Sequence, residues 1–547
     1  MGAGERTTAG AVLDVLAQAG VRTAFGLPGV HNLALWAALG PGRPRVVGVR
    51  HEQTTAYAAD ALARATGALG VALTTSGPGA ANAVAAFGEA AASGSPVLLI
   101  ASEVSTALRR PDGQRGVLHE MSDQASLFEP LAKAVYRPQT PLAAVEAVAR
   151  AAAYAMSSPR GPVYVGIPVD VLGAALPDDG RPLPAASPAA PPAPSSTEVE
   201  AALAEIAAAR RPALWVGGGA VQSDAADAVA ELAGRLGAPV LTTYAARGVL
   251  RTGHPLLVDL PPHEPEAEAV LASADLLVGL GTAFDGMTTK NWGLPWPPRL
   301  LAVNTAAEHL RSGLVADVGV VADVGAFCAA VAVRLRPRQP WADAVFAVGP
   351  DGRRRLADDP RTADGIALAQ TVSQVWAGRG PVVCDMAVPG YWVGGYATFE
   401  EPRRLQYPVG WGTLGYALPA SVGAAVADVG PVLVVCGDGG AAMGVGELAT
   451  LVQERLPVTV LLVDDGGYGM LRYDQQVAGE PERGVDLTGP DWLALAQAYG
   501  VPAEVAPDTR GGLSAALSRA ADAGGPRLVL LRTALFPPRT TSPRWSG

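Results

Sequence analysis

Short apolar runs recur along the chain, and alanine-rich segments with helical spacing separate them. The clearest runs are residues 71–74, 96–100, 276–280 and 432–435. Strands that are apolar throughout are typical of parallel sheets, because helices cover both faces of such sheets. The pattern therefore predicts an α/β fold made of three doubly wound parallel-sheet domains.

Two stretches interrupt this alternation. Residues 177–194 contain seven prolines, and such a stretch cannot continue a helix or a central strand. Residues 334–360 are rich in proline, arginine, aspartate and glycine and show little periodicity. These breaks predict a first domain over residues 1–180, a central domain over residues 190–340 and a third domain over residues 360–547.

The net charge of the chain and the length of its uncharged runs restrict the partners that it can have. The 547 residues carry a formal net charge of −10, whereas nucleic acids and anionic membranes bind basic surfaces, so we expect neither partner. The uncharged run at residues 65–88 is long enough to span a bilayer, but Ser76-Gly77-Pro78-Gly79 would break a lipid-exposed helix there. The three cysteines are far apart, and no basic segment followed by an apolar one opens the chain. We expect a cytoplasmic protein with reduced thiols and no membrane segment.

Acidic residues follow two predicted strands in the third domain. One strand, residues 431–436, ends in Gly437-Asp438-Gly439-Gly440, and a helix over residues 443–455 leads to a second strand, residues 457–463, which ends in Asp464-Asp465. The carboxyl ends of parallel strands in a βαβ unit share one edge, so Asp438 and Asp465 should converge. Carboxylates beside a glycine-rich backbone suit Mg²⁺ and a phosphate group. Gly-Asp-Gly alone is more often a tight turn, but the whole combination favours a metal site.

This stretch resembles the cofactor signature of thiamine diphosphate (ThDP) enzymes of the acetolactate synthase and 2-oxo acid decarboxylase superfamily. The resemblance implies that Asp438, Asp465 and the backbone carbonyl of Gly467 bind Mg²⁺. The residues that it implies at ThDP are Pro28, Ser76, Asn82, Met386, Gly412, Leu414, Gly437, Gly439, Gly440 and Tyr468. Most members of the superfamily have Asn-Asn where this chain has Asp464-Asp465, so one negative charge is added beside the diphosphate.

The resemblance also implies specific roles around the aminopyrimidine ring of ThDP. The carbonyl of Gly412 would accept from the 4′-amino group, and Leu414 would hold the cofactor in its bent shape. Glu52 matches the acid that hydrogen-bonds N1′ and favours the reactive imino form. Taken alone, Leu414 would be an ordinary core residue and Glu52 a solvated acid at a helix start.

The reaction implied by the resemblance has two halves. A 2-oxo acid loses CO₂, and the carbanion is then either protonated to an aldehyde or transferred to a second carbonyl group. Val30 stands where pyruvate decarboxylases carry an acid needed for aldehyde release, which favours transfer, as in acetolactate synthase. The loop at residues 116–124 resembles the acetolactate synthase loop that carries a catalytic glutamine, and it makes His119 and Gln124 the further catalytic candidates. The alternative for His119 is a surface histidine.

Two other functions remain open. The Leu-His-Glu-x-x-Asp-Gln pattern at residues 118–124 also resembles 5-guanidino-2-oxopentanoate decarboxylases, in which Glu120 or Asp123 would meet a guanidinium group. A simple decarboxylase of such a larger 2-oxo acid is therefore the first alternative. A non-catalytic protein with the ThDP fold is the second, and the presence of Glu52 argues against it.

The sequence says less about a cofactor in the central domain and about the oligomeric state. The turns at residues 215–219 and 279–282 look like weak dinucleotide turns, and residues 283–286 lack the run with which anabolic acetolactate synthases hold FAD. We therefore expect no FAD. The resemblance implies a homodimer or homotetramer with active sites between subunits, acting on a small-molecule 2-oxo acid.

Overall fold

Three sheets of parallel strands form the framework of the protein. The computed structural model describes residues 6–110, 113–176, 182–342 and 345–539. The first five residues, and residues 177–181 of the predicted proline-rich stretch, lie outside the described residues. Each sheet lies within one of the three predicted segments. The predicted α/β fold with three parallel-sheet domains is confirmed.

The first sheet lies in the amino-terminal segment. Its strands are β1 Thr23–Gly26, β2 Arg45–Gly48, β3 Gly70–Thr74, β4 Val97–Glu103, β5 Ala134–Tyr136 and β6 Val163–Pro168. Its helices are α1 Thr8–Gln18, α2 Leu33–Ala37, α3 Glu52–Thr66, α4 Pro78–Asn82, α5 Val84–Ala92, α6 Pro141–Met156 and α7 Val169–Gly173. The strand order is β2-β1-β3-β4-β6-β5. Alternate residues of β3, Val71 and Leu73, share a hydrophobic core with Val148 of α6, so one face of the sheet is covered by this helix.

The second sheet lies in the central segment. Its strands are β7 Pro212–Val216, β8 Val240–Thr242, β9 Leu276–Leu280, β10 Leu300–Asn304 and β11 Val318–Val321. Its helices are α8 Ser196–Ala208, α9 Gly218–Gln222, α10 Ala226–Leu236, α11 Pro265–Ser273 and α12 Val324–Ala332. The strand order is β11-β10-β9-β7-β8, and all of its pairs are parallel.

The third sheet repeats the topology of the first. Its strands are β12 Val382–Cys384, β13 Leu405–Gln406, β14 Val432–Gly437, β15 Val458–Asp464, β16 Ala503–Ala506 and β17 Arg527–Arg532. The helices between residues 345 and 522 are α13 Val345–Asp358, α14 Ala363–Trp376, α15 Val388–Tyr396, α16 Ala417–Val426, α17 Asp438–Gly444, α18 Leu448–Gln453, α19 Gly469–Ala478, α20 Trp492–Ala498 and α21 Gly511–Asp522. The strand order β13-β12-β14-β15-β17-β16 follows the same pattern as the first sheet.

The chain divides into two compact units that do not follow the order of the sequence. The first unit contains residues 1–190, 410–429 and 444–456, and the second contains residues 191–409, 430–443 and 457–547. In the first unit, α16 packs so closely on α3 that a Cβ atom placed on Gly423 would lie 1.8 Å from the carbonyl oxygen of Ala58. Only glycine permits this approach, which joins a segment from the third predicted domain to the helix between β2 and β3 of the first sheet.

Two details differ from the sequence prediction. The helix expected over residues 443–455 is instead α17 and α18, because Gly444 adopts φ −120° and ψ 8° and interrupts the helical backbone between them. The passage at residues 334–360, expected to lack periodicity, contains α13 despite Pro350 inside it. Arg355 of α13 forms ion pairs with Glu264 and Glu266, so tertiary contacts hold a helix that sequence propensity alone disfavours.

Candidate active site

Two carboxylates lie at the carboxyl ends of adjacent parallel strands. β14 pairs with β15, with Gly437 opposite Val463; Asp438 directly follows Gly437, and Asp465 lies two residues after Val463. Asp438 is 2% exposed, and its Oδ1 atom is buried without a hydrogen-bond partner. Burial, followed by the charges of Asp465 and Asp464, raises the pKa of Asp438 to about 6. The structure therefore brings together the two acids that the sequence predicted to converge.

The second acid is held by its own neighbours. Burial raises the pKa of Asp465, whereas the charge of Arg472 and the N–H of Gly467 act against that rise. The side chain of Asp464 instead accepts the backbone N–H of Gly466 at 3.3 Å. The two adjacent aspartates thus differ, since the side chain of Asp465 is within hydrogen-bonding contact of Asp438, whereas that of Asp464 bonds to the main chain of the turn.

The glycine-rich segments around these acids come close to one another. A Cβ atom on Gly439 would lie 2.7 Å from the ring of Tyr468, so Tyr468 lies directly against the Gly437–Gly440 turn. The N–H of Tyr468 donates to the carbonyl of Val485 at 2.8 Å, which fixes the position of its main chain. Met386 lies between β12 and α15 at the same edge of the sheet, and its N–H donates to Asp385.

In the first unit, Glu52 is the first residue of α3 and is half-buried. Its Oε2 atom accepts from the side-chain amide of Asn82 at 3.0 Å. Buried Glu447 supports this helix start, because its Oε1 atom accepts the N–H of Arg50 at 3.0 Å and the hydroxyl of Thr54 at 2.8 Å. Glu52 therefore lies next to the Ser76–Asn82 turn on a braced helix, and its other carboxylate oxygen, Oε1, lies on the side of Gly79.

The predicted loop with Gly412 and Leu414 is anchored from both sides. The hydroxyl of Thr413 donates to Glu89 at 3.1 Å, and the hydroxyl of Tyr416 donates to Asp60 at 3.0 Å. Arg64 joins these two acids through ion pairs of 2.8 Å each. Leu414 itself is 39% exposed, so it projects from an anchored loop and is not a core residue.

Ser76 and His119 meet at the turn that follows β3. The Oγ atom of Ser76 lies 3.1 Å from Nδ1 of His119. Gly77 adopts φ 58°, and a Cβ atom there would lie 2.7 Å from Cβ of His119, so only glycine fits at this point. His119 itself adopts φ 65°, an uncommon conformation for a residue with a side chain. The histidine of the predicted loop is thus packed against the turn and is not a free surface residue.

Gln124 lies behind this turn. Its Oε1 atom accepts the N–H of Gly77 at 2.6 Å, and its amide donates to the carbonyl of Ser102 and the hydroxyl of Tyr164. These bonds engage both of its polar atoms and leave the side chain buried. The structure therefore places this predicted catalytic residue in a supporting position beneath Ser76 and Gly77.

The structure adds one residue that the sequence reasoning missed. Nδ1 of His31 lies 2.5 Å from Oγ of Ser76, and the rings of His31 and His119 meet edge to face at 5.2 Å. Asn32 fixes the preceding turn, which contains Pro28, by accepting from Gly29 and donating to Leu27. The available signal was a histidine shortly after the carboxyl end of a strand, here β1, where ligands bind in such sheets.

The two acids considered for a guanidinium group have partners within the loop region. Glu120 accepts the N–H groups of Arg115, Gly116 and Val117. Asp123 forms an ion pair with Arg137 at 2.8 Å. Both carboxylates stabilise the loop itself, so the geometry does not single them out as a substrate site.

The dinucleotide-like turns of the central domain bond to each other. The N–H groups of Gly217 and Gly219 donate to the carbonyls of Leu280 and Gly281 at 2.9 and 2.8 Å. These N–H groups are therefore engaged by protein carbonyls. Within the described ranges, no group of three or more His, Cys, Asp or Glu residues could hold a metal ion by itself, and no helix is long and apolar enough to cross a membrane.

Comparison with known proteins identifies the class that this fold and these acids define. Residues 6–127 match the amino-terminal thiamine pyrophosphate (TPP) binding domain of thiamine pyrophosphate enzymes, residues 199–331 match their central domain, and residues 385–531 match their carboxyl-terminal TPP binding domain. The chain belongs to the thiamine pyrophosphate enzyme family, as the resemblance implied.

Individual relatives cover nearly the whole chain. A probable 2-ketoarginine decarboxylase, AruI, of Pseudomonas aeruginosa is 35% identical over 90% of this chain and 88% of that protein. An acetolactate synthase large subunit of Mycobacterium tuberculosis is 32% identical over 90% of this chain and 82% of that protein. A probable acetolactate synthase large subunit of Methanocaldococcus jannaschii is 27% identical over 91% of this chain and 87% of that protein.

Proposed function

We propose that the protein decarboxylates a 2-oxo acid with the help of ThDP and Mg²⁺. The observation that carries this proposal is the pair Asp438 and Asp465, two carboxylates side by side, one with a buried oxygen that lacks a hydrogen-bond partner. Two such charges repel each other, and a bound cation removes the repulsion. The family's cofactor is used with a divalent cation, and this pair is where the cation would bind.

The donors at this edge of the sheet fit Mg²⁺. Asp438, Asp465 and the carbonyl of Gly467 supply hard oxygen atoms, and a diphosphate and water would complete the octahedral shell that this ion requires. Asp464 is not part of the proposed set, because its carboxylate already accepts from Gly466. Gly437, Gly439 and Gly440 would leave their main chain accessible to the diphosphate beside Tyr468.

Glu52 is the proposed activating acid. When bound, ThDP supplies the electron sink that makes loss of CO₂ from a 2-oxo acid possible. Glu52 would hold a proton at N1′, and Asn82 orients its carboxylate through the bond to Oε2. The carbonyl of Gly412 would accept from the 4′-amino group, and the exposed side chain of Leu414 would hold the ring in position.

Two fates of the carbanion have support. Transfer to a second carbonyl is supported by the acetolactate synthase relatives and by Val30, an apolar side chain that is 67% exposed where an acid would be needed for aldehyde release. Protonation to an aldehyde is supported by the 2-ketoarginine decarboxylase relative. We propose no FAD in either case, because the glycine N–H groups of the central turns are engaged.

The assembly that we propose is a homodimer or a homotetramer. The acetolactate synthase resemblance supports active sites in which Glu52 of one subunit serves the cofactor held by Asp438 and Asp465 of another. Mixing an inactive E52Q chain with an inactive D438A chain tests this arrangement, since shared sites predict that activity returns in the mixture, whereas sites within single chains predict none.

The products of the reaction decide between the two fates. We would incubate the protein with ThDP, Mg²⁺ and either pyruvate or 5-guanidino-2-oxopentanoate, and measure CO₂, aldehyde and 2-hydroxyketone or acetohydroxyacid separately. CO₂ with a matching amount of aldehyde supports the decarboxylase, and CO₂ with a condensed product supports the carboligase. Release of no CO₂ from any 2-oxo acid would contradict both.

A further inference from the structure

A serine hydroxyl lies between two imidazole rings in the first unit. The Oγ atom of Ser76 is 2.5 Å from Nδ1 of His31 and 3.1 Å from Nδ1 of His119. Ser76 is fully buried, whereas both histidines are partly exposed. The two Nδ1 atoms therefore converge on one buried hydroxyl.

The hydrogen count of this arrangement limits its chemistry. A hydroxyl has one hydrogen, so it can donate to only one of the two rings, and it then accepts from the other. In that arrangement one histidine carries a hydrogen on Nδ1 while the other has a bare Nδ1. In the neutral state the first ring has a bare Nε2 and the second has a hydrogen on Nε2, so the two rings are opposite tautomers held by one hydroxyl.

We propose that His31, Ser76 and His119 form a proton relay that protonates the carbanion left by loss of CO₂, a role that rests on the function proposed above. The ring with the hydrogen on Nδ1 takes a proton at Nε2. Its Nδ1 hydrogen passes to Oγ of Ser76, and the hydroxyl hydrogen passes to Nδ1 of the other ring. That ring gives its Nε2 hydrogen to the substrate carbon, where it forms the new C–H bond, and the relay ends as the mirror image of its starting state.

The surrounding backbone holds the relay in place. Gln124 fixes the N–H of Gly77, the residue after Ser76, at 2.6 Å. The close contact of Gly77 with His119, and the positive φ of His119, hold that ring over the turn. Backbone conformations of this kind persist where the surrounding structure enforces them, and they occur often at functional sites.

The relay also lies close to the proposed activating acid. Gly77 contacts His119, and Gly79 faces Oε1 of Glu52, while two residues of chain span at most about 7 Å. His119 of the relay and Glu52 therefore contact the same short turn, residues 76–82.

The charged groups around His31 are few and paired. Burial lowers the pKa of His31, and the charge of His119 lowers it further. β4 and α7, which pack near the Val30–Asn32 turn, carry Glu103, paired with Arg109, and Asp170, bonded to Thr106. His119 is thus the charged neighbour that acts on His31.

The tautomers test the relay without any cofactor. With ¹⁵N-labelled histidine in the cofactor-free protein, and with H31N and H119N used for assignment, we expect one of the two rings to carry its hydrogen on Nδ1 and the other on Nε2. S76A should return the Nδ1 ring to the Nε2–H form, whereas S312A, which removes an exposed serine hydroxyl near His309, should change neither ring. Identical tautomers in the two rings, or an S76A spectrum without change, would overturn the proposal.

Product analysis gives the second measurement. With ThDP, Mg²⁺ and a 2-oxo acid that is turned over, S76A and H31N should slow aldehyde formation in a single turnover at least tenfold more than they slow CO₂ release. Unchanged aldehyde formation in both variants would overturn the relay. If the wild type releases no CO₂, the proposed function fails, and the tautomer measurement still decides whether the relay exists.

Discussion

Asp465 faces Asp438 across the ends of two neighbouring strands, and its charge is second only to burial in raising the pKa of Asp438 to about 6. This relationship predicts a pH dependence for the proposed metal site. A proton on Asp438 must leave before Mg²⁺ binds, so the apparent affinity should fall about tenfold per pH unit below pH 6.

Separate replacement of Asp465 and Asp464 distinguishes the proposed Mg²⁺ ligand, Asp465, from Asp464, which we do not expect to bind the ion. D465N removes the charge that raises the pKa of Asp438, so the decline in Mg²⁺ affinity should begin at a lower pH, and the affinity at pH 8 should be severalfold weaker than in the wild type. D464N is the matched control, because the carboxylate of Asp464 accepts from Gly466, and it should bind Mg²⁺ nearly as well as the wild type. Calorimetric titration between pH 5 and 8 checks both, and equal effects of the two variants would contradict the assignment.

Glu52 should be needed for turnover and not for the fold. E52Q keeps an oxygen that can accept from Asn82 but loses the carboxylate that would stabilise a proton at N1′, so we expect ThDP affinity within a fewfold of the wild type and a kcat lower by about 100-fold or more. E308Q, at an exposed position, serves as the control. Near-normal turnover of E52Q would mean that another residue activates the cofactor.

Leu414 offers a test of cofactor contact that is separate from stability. Since this side chain is 39% exposed, L414A should cost less than about 1 kcal/mol in the free energy of unfolding, compared with about 2–5 kcal/mol for a buried leucine. The ThDP dissociation constant should nevertheless rise about tenfold. A large loss of stability with unchanged ThDP binding would instead identify Leu414 as a core residue.

The buried cluster of Asp60, Arg64 and Glu89 should be important for the stability of the first unit. E89L leaves Arg64 with one carboxylate in a buried site, and removing one partner of such a pair costs about 3–5 kcal/mol. E89Q should cost less, because it keeps hydrogen-bonding groups toward Arg64 and Thr413. E129Q, which breaks the exposed pair with Arg137, should change stability by less than about 1 kcal/mol. Urea unfolding compares the three variants, and equal losses for E89L and E129Q would contradict this account.

Local patterns in the sequence predicted much of the fold. The apolar runs at residues 71–74, 276–280 and 432–435 are strands whose residues are buried on both faces of a sheet. Such strands are apolar throughout, so the sequence pattern alone identifies them. Asp438 and Asp465 were predicted to converge because parallel strands fix which ends meet. The separate behaviour of Asp464 was not predictable, since it depends on a bond to Gly466 that exists only in the folded turn.

Contacts between distant segments could not be predicted. The link between His31 and His119 passes through Ser76, more than forty residues from either, and no spacing rule connects them. The supporting position of Gln124 could not be predicted for the same reason. Its three buried hydrogen bonds join it to the turn after β3, to β4 and to β6, which meet only in the folded protein. The helix at Val345–Asp358 was missed because its ion pairs come from residues about 90 positions away.

The most direct test of the central claim is CO₂ release from a panel of 2-oxo acids, measured with ThDP and Mg²⁺ together, with each alone, and with neither. We expect at least one acid to release CO₂ only when both are present, and E52Q and D438A to abolish most of that release. Release of no CO₂ from any acid, or release that does not depend on ThDP, would contradict the account.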